Sequence, residues 1–268
     1  MKTLLSERPK MALIDADIIC YRVGFASEDT DQQICLARVT ELVHDIVYSQ
    51  LKCDDYKAYI TGKGNFRNDI AITAPYKGNR KDMKRPTHYE AIRHHLQRLG
   101  AELVEGMEAD DAIAIEATAN GGFIVSIDKD LDQIPGHHYN FVKQEEYFVD
   151  EWTGLVNFYK QILTGDRVDN IIGIRGIGPA KAAKLVAECK TEQELFDVCV
   201  KAYNDNGEDG VARVVENGNL LWLLRTPNQR YQPPSSSQAS IGLSSIDQTS
   251  ANTDAVTSPL PPSTYEKG

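Results

Sequence analysis

Apolar and polar positions follow two different rhythms along this chain, and the change falls near residue 155. Residues 11–14 form a short apolar run that ends in Asp15, the pattern of a strand buried on both faces. Val39, Leu42, Val43, Ile46, Val47 and Leu51 recur at helical spacing. Residues 56–61 predict a second strand, 89–99 a helix, 102–104 a strand, 109–119 a helix and 123–127 another strand. Alternating strands and helices imply an α/β fold, a mainly parallel sheet flanked by helices. Beyond about residue 155 the strands stop. Residues 155–163, 179–186, 192–202 and roughly 210–224 read as helices.

Residues 62–86 between the second strand and the next helix are polar, basic and glycine-containing. A loop that long in a compact domain is usually functional or mobile. From Gln232 onward the chain is rich in Ser, Pro, Thr and Gln with almost no aromatics. Such a segment cannot offset chain entropy by burial and is expected to be a disordered tail. The expected organisation is an α/β core over 1–154, a helical region over 155–231 and a tail over 232–268.

With 268 residues, 41% of them hydrophobic, the chain can bury one core plus a small satellite. Its net charge of -10 argues at first against a nucleic-acid partner. The charge is uneven, however. Between Tyr76 and Arg98 stand Lys77, Arg80, Lys81, Lys84, Arg85, Arg93 and Arg98 against only Asp82 and Glu90. The five cysteines are scattered, odd in number and without a CxxC pair, which disfavours a disulfide framework or a zinc site and fits reduced thiols in a cytoplasm. No run approaches the ~18 apolar residues of a membrane span. The expectation is a soluble, cytoplasmic monomer.

The acids cluster at junctions between elements. Asp15 closes the first strand. Glu108, Asp110 and Asp111 open a helix, Asp128 and Asp130 follow a strand, and Asp166 and Asp169 sit in Gly165-Asp-Arg-Val-Asp-Asn170. In an α/β sheet the carboxyl ends of the strands meet at one edge, so these groups converge there. Convergence is costly unless a cation offsets the repulsion. All-oxygen ligation suits Mg²⁺ or Mn²⁺, and two such ions can clamp the attacking and leaving oxygens at phosphorus. Each aspartate alone is equally readable as a helix cap, a helix-dipole partner or a surface residue. Asp17 reads that way, and Asp132 as a solvated helix residue. Further on, Gly173-Ile-Arg-Gly-Ile-Gly178 leads into Pro179-Ala-Lys-Ala-Ala-Lys184, a tight turn whose helix start and lysines suit a phosphate.

Taken as an ordered set, Asp15, Tyr76-Lys-Gly-Asn-Arg80, Glu108-Ala-Asp-Asp111, Asp128-Lys-Asp130, Gly165-Asp-Arg-Val-Asp-Asn170 and Gly176-Ile-Gly178 resemble the 5′-nuclease family. That family includes phage 5′–3′ exonucleases, flap endonucleases and the nuclease domain of bacterial DNA polymerase I. The resemblance covers about residues 10–224. It implies a PIN-like nuclease core with a helical arch or clamp at about 62–98 and a helix–three-turn–helix in the C-terminal region. It implies metal-dependent 5′–3′ exonuclease or flap-endonuclease activity on DNA with a 5′ end or flap, or on an RNA–DNA hybrid, in the host cytoplasm if phage-encoded.

Position by position, Asp15, Glu108, Asp110, Asp111, Asp128, Asp130, Asp166 and Asp169 match the family's metal acids, Asp15 and Asp128 with a catalytic part. Lys77 and Arg80 match residues that contact the scissile phosphate, and Tyr76 an aromatic on which a terminal base stacks. Lys81, Lys181 and Lys184 match further DNA contacts. Gly176 and Gly178 match a hairpin that grips duplex backbone, with K⁺ bound there. The plain alternatives are packing for Tyr76 and a solvated basic loop for Lys77 and Arg80. One departure stands out. The family carries an aspartate after the second strand, shortly before a Phe-Arg or Trp-Arg pair, and here Phe66-Arg67 is present while Gly62 or Lys63 holds the aspartate's place. Two other readings stay open: a DNA-junction-binding protein that has lost catalysis, and a PIN-type ribonuclease.

Overall fold

The computed structural model describes residues 8–80 and 83–234. The expected tail falls outside these residues from position 235 on, as does Lys81. The chain opens with β1 (Met11–Asp15) and α1 (Ala16–Phe25), followed by α2 (Gln32–His44), whose last turns widen into a π-helix over Asp45–Gln50. Next come β2 (Asp55–Thr61), the short α3 (Arg67–Ile70), α4 (Tyr89–Arg98), β3 (Glu102–Val104), α5 (Ala109–Asn120) and β4 (Phe123–Val125). The sheet continues through β5 (Gly136–Asn140) and β6 (Glu145–Val149), in the order β3-β2-β1-β4-β5-β6. Every neighbouring pair is parallel except β5 with β6.

The uninterrupted apolar run of β1 is explained by its place at the centre. Ala12 and Ile14 face a core built with α1, α2 and α4, while Leu13 faces a second layer with α5. With both faces covered, a strand has no polar side to alternate. Register fixes the site: Asp15 pairs with Tyr59 and Ile14 with Val125, so Asp15, Thr61 and the residues after Val125 emerge at one edge.

The remainder is helical: α6 (Glu151–Thr164), α7 (Pro179–Val186), α8 (Glu192–Asp205) and α9 (Gly210–Leu221) enclose a third apolar cluster around Phe158, Tyr159, Ile162 and Tyr203. Strands do not stop at residue 155, as the sequence pattern predicts. β7 (Gly165–Asp166) and β8 (Ile171–Ile172) form a two-residue antiparallel pair that pinches the acidic loop between them. Two residues are too few to show a period. Their close approach needs glycine, since a Cβ on Gly165, whose φ is +65°, would lie 2.3 Å from Gly173 N. The sequence reading also passes over α1, β5 and β6. α1 follows β1 with no turn residue between them, and β5 carries His137 and His138 where a hydrophobic alternation would be sought.

One buried ion pair joins the layers. Arg67 is 1% exposed and Asp111 fully buried. Arg67 Nη1 and Nη2 donate to the two Asp111 oxygens at 2.6 and 2.9 Å, while its Nε and Nη2 reach the carbonyls of Leu220 and Trp222. Asp111 also accepts from the amides of Glu108 and Leu224. The fork therefore ties the start of α5 to the end of α9. Removing one partner leaves an uncompensated buried charge, so Asp111→Ala is expected to lower the unfolding free energy by about 3–5 kcal/mol in urea denaturation. A change below about 1 kcal/mol would show that the pair is not what locks these layers.

Candidate active site

The carboxyl edge of the sheet opens into a cleft of about 630 Å³, lined by Asp15, Glu108, Asp110, Asp128, Asp130 and Asp169. Asp15 caps α1: its Oδ1 accepts from Ile18 N at 3.2 Å and its Oδ2 from the Ser126 hydroxyl at 2.9 Å. Ser126 in turn accepts from the amide of Asp128, linking the ends of β1 and β4. Burial, then the charge of Asp17, push Asp15 up to about 7. Asp110 is partly open to the cleft, yet desolvation and then the charges of Asp15 and Asp128 raise it well above the ordinary carboxylate range. Burial, then Asp128, raise Asp130 to about 7.

The second half of the cleft is closed by the protein's own cations. Asp166 accepts from the amides of Val168 and Asp169 and from Lys129 Nζ at 2.9 Å. Burial opposes its ionisation, but Lys129 and the amides outweigh burial and hold it below its usual value. Lys77 Nζ pairs with Glu108 and lies 3.8 Å from Asp169, and Arg80 Nη2 donates to Asp169 at 2.5 Å. The loop carrying Tyr76–Arg80 docks on the loop carrying Asp166–Asn170 through backbone groups: Lys77 N donates to Asp169 O, and Arg80 Nε to Val168 O. No three carboxylates close round a single point among the described residues.

Several site residues differ from their sequence reading. Tyr76 is 7% exposed and packs in the helical apolar cluster. The ring also borders the cleft, with Lys77 Nζ 5.2 Å from its centroid. Its hydroxyl lies 2.9 Å from Glu108 and 2.8 Å from Asp169, bridging two carboxylates. Asp111 has both oxygens engaged by Arg67 and two amides, so it serves as the counter-ion described above. Asp15 is the cap of α1, and Asp17 stands in the first turn of that helix, as a helix-start acid. Asp17 lines the cleft, accepting from Thr61 N at 3.0 Å and facing Arg93 Nη1 at 3.3 Å. Asp132 is not simply solvated, since it accepts from Tyr147 Oη at 2.7 Å. Gly176, Gly178, Lys181 and Lys184 lie outside this cleft. Gly176 has φ +80° and Gly178 caps α7, while Lys181 borders a separate hollow of about 380 Å³ with Ile174 and Lys201. Ser126 carries no signal of its own in the sequence, while Arg93 and Lys129 show there only as part of the basic segment and of Asp128-Lys-Asp130; which carboxylate each meets is visible only in the fold.

Comparison with known proteins agrees with this geometry. The family model described as 5′-3′ exonuclease, N-terminal resolvase-like domain matches residues 10–160. A DNA polymerase I of Rhizobium leguminosarum is 40% identical over 100 residues, covering 31% of this chain and 10% of the polymerase. The flap endonuclease Xni of Shewanella oneidensis is 32% identical over 141 residues, covering 45% of this chain and 53% of that protein. The chain thus spans at most about half the length of these curated relatives. The fold is shared with bacteriophage T5 5′-exonuclease bound to zinc, at a TM-score of 0.59 and 18% identity over 79% of this chain and 88% of that one.

Asp15 and Asp130 bind protons more tightly folded, at about 7, than at their ordinary value of 3.8. The folded state then holds more protons than the unfolded state up to that pH, and stability falls as pH rises. His95 and His138, whose proton affinity burial lowers, oppose this up to roughly a unit above their usual value of 6.5, and the two aspartates with Asp110 outweigh them beyond it. Chelator-treated protein should therefore melt at lower temperature at about pH 8 than at about pH 6.5, and Asp15→Asn should flatten that slope. A melting temperature that rises over this interval contradicts the crowding of charge in the cleft.

Proposed function

The chain belongs to the 5′–3′ exonuclease family through its N-terminal resolvase-like domain, and from that premise we propose that it is a metal-dependent nuclease hydrolysing DNA phosphodiesters near 5′ ends or at flaps. The observation that carries the reading is the cleft itself. Carboxylates from β1, α5, the segment after β4 and the loop between β7 and β8 face one space, under a loop that presents Lys77 and Arg80. Their donor set is all oxygen, desolvated and mutually repelling, which fits Mg²⁺ or Mn²⁺. Asp15, Glu108, Asp110, Asp128, Asp130, Asp166 and Asp169 are the residues that would hold such ions. Bound there, divalent ions supply charge neutralisation at phosphorus and an activated water. The bacteriophage T5 flap endonuclease, a fold neighbour, is described in complex with DNA and metal ions.

Lys77 and Arg80 have a defined task in this reading. Both are held at the cleft by Glu108 and Asp169, where their positive charge would stabilise a phosphate oxygen. Tyr76 donates one proton between Glu108 and Asp169 and so keeps them together. The turn at Gly176–Gly178, as a helix–three-turn–helix with K⁺, would hold the duplex backbone together with Lys181 and Lys184. Such contacts are blind to sequence. Cytoplasmic location, a monomeric state and use of RNA–DNA hybrids belong to the same proposal. A second reading, a junction-binding protein without catalysis, is favoured by one observation only: Gly62 or Lys63 where the family carries an aspartate.

A 5′-labelled flap duplex incubated with the protein and Mg²⁺ should be cut, and excess chelator should stop the cutting. Lys77→Ala should lower kcat/KM by about 100-fold, the cost of losing one charge-stabilising donor. A flap left intact with Mg²⁺ present removes the enzyme reading and leaves the junction-binding one.

A further inference from the structure

We infer that Asp17 is a positioning residue of the cleft, taking over from α1 the place at the carboxyl end of β2 where Gly62 leaves no carboxylate; this rests on the nuclease reading above. At Gly62, one of the two positions that could correspond to the family's aspartate, packing leaves no room for a side chain. Gly62 N donates to Val104 O at 2.7 Å, and a Cβ on Gly62 would lie 2.6 Å from that oxygen and 2.8 Å from Glu105 Oε1. No side chain enters without moving backbone. Glu105 itself is exposed on the rim and accepts from Lys63 N.

Asp17 reaches the same strand end from the other side. Its Oδ2 accepts from the amide of Thr61, the residue just before Gly62, at 3.0 Å. Arg93 Nη1 lies 3.3 Å from Asp17 Oδ1, and Arg93 Nη2 donates to Thr61 O at 2.8 Å. The Thr61 hydroxyl accepts from the amide of Ala109, the first residue of α5, which stands between Glu108 and Asp110. One short chain of hydrogen bonds therefore connects Asp17 to the helix start that carries two of the site's acids. Asp17 also stands two residues from Asp15, close enough that its charge opposes Asp15's ionisation. Carboxylates that orient such ligands and add to their field are worth about 10–100-fold in metal affinity. Arg93 acts against that field as Asp17's counter-ion.

An ordinary ion pair stitching α1 to α4 would have no such charge-specific effect. The test is titration of the full chain with Mn²⁺, following free ion by electron paramagnetic resonance, for wild type, Asp17→Asn and Arg93→Gln, with thermal melts of each. Asn keeps the size of the side chain and an acceptor for Thr61. Asp17→Asn is expected to weaken Mn²⁺ binding by about tenfold, and Arg93→Gln to tighten it. Unchanged affinity in Asp17→Asn, or weakening in both variants, overturns the inference. If Asp17→Asn fails to melt cooperatively, Arg93→Gln decides: tighter binding supports the inference, and unchanged or weaker binding overturns it. A wild type that binds Mn²⁺ and cuts flaps while neither variant shifts affinity overturns only this inference. A wild type that does neither overturns the nuclease reading as well.

Discussion

Crowding of like charge at the carboxyl edge of a parallel sheet is the constraint around which this molecule is arranged. β1 lies between β2 and β4 in parallel register, so Asp15 is delivered to the same edge as the acids that follow β4 and open α5. Burial there works against ionisation of Asp15, Asp110 and Asp130 together. The protein answers with its own cations at one end of the cleft, where Lys77, Arg80 and Lys129 meet Glu108, Asp169 and Asp166. Burial still dominates at Asp15, Asp110 and Asp130, and even at Asp169 beside Lys77 and Arg80, so proton affinity rises at all four. A site built this way has a standing preference for external positive charge.

Two acids in the same sequence motif have opposite fates, and the difference is geometric. Asp110 and Asp111 are neighbours at the start of α5, where successive residues point about 100° apart. Asp110 turns into the cleft, while Asp111 turns inward to Arg67 and the chain after α9. The first supplies unsatisfied charge and the second a fully satisfied pair. That pair joins the helical region to the sheet on which the acids stand, so the cleft's walls are held in fixed relation from behind.

The parts of the fold that repeat were legible in the sequence. The buried run of β1, the helical spacing of α4 and α8 and the Pro179 start of α7 all follow from period and punctuation. Elements without a period were not: β7 and β8 are two residues each, and β5 presents histidines. In the site, the ordered acidic groups mark which segments converge, because junction acids are visible in one dimension. What each carboxylate meets is a three-dimensional matter. Tyr76 bridges two acids through its hydroxyl, Asp17 faces the cleft from the first turn of α1, and Lys129 neutralises Asp166 across 37 positions of chain.

The central claim is that these carboxylates do chemistry beyond holding a nucleic acid. Asp128 separates the two, since it sits exposed at the cleft and bonds locally, its amide to Ser126 and its side chain to the amide of Asp130. Binding and single-turnover cleavage of one flap duplex, measured side by side for wild type and Asp128→Asn, test the claim most directly. The variant is expected to bind the duplex at least as tightly, having lost a negative charge, and to cut it about 100-fold more slowly or worse. Cleavage at the wild-type rate by Asp128→Asn would contradict it.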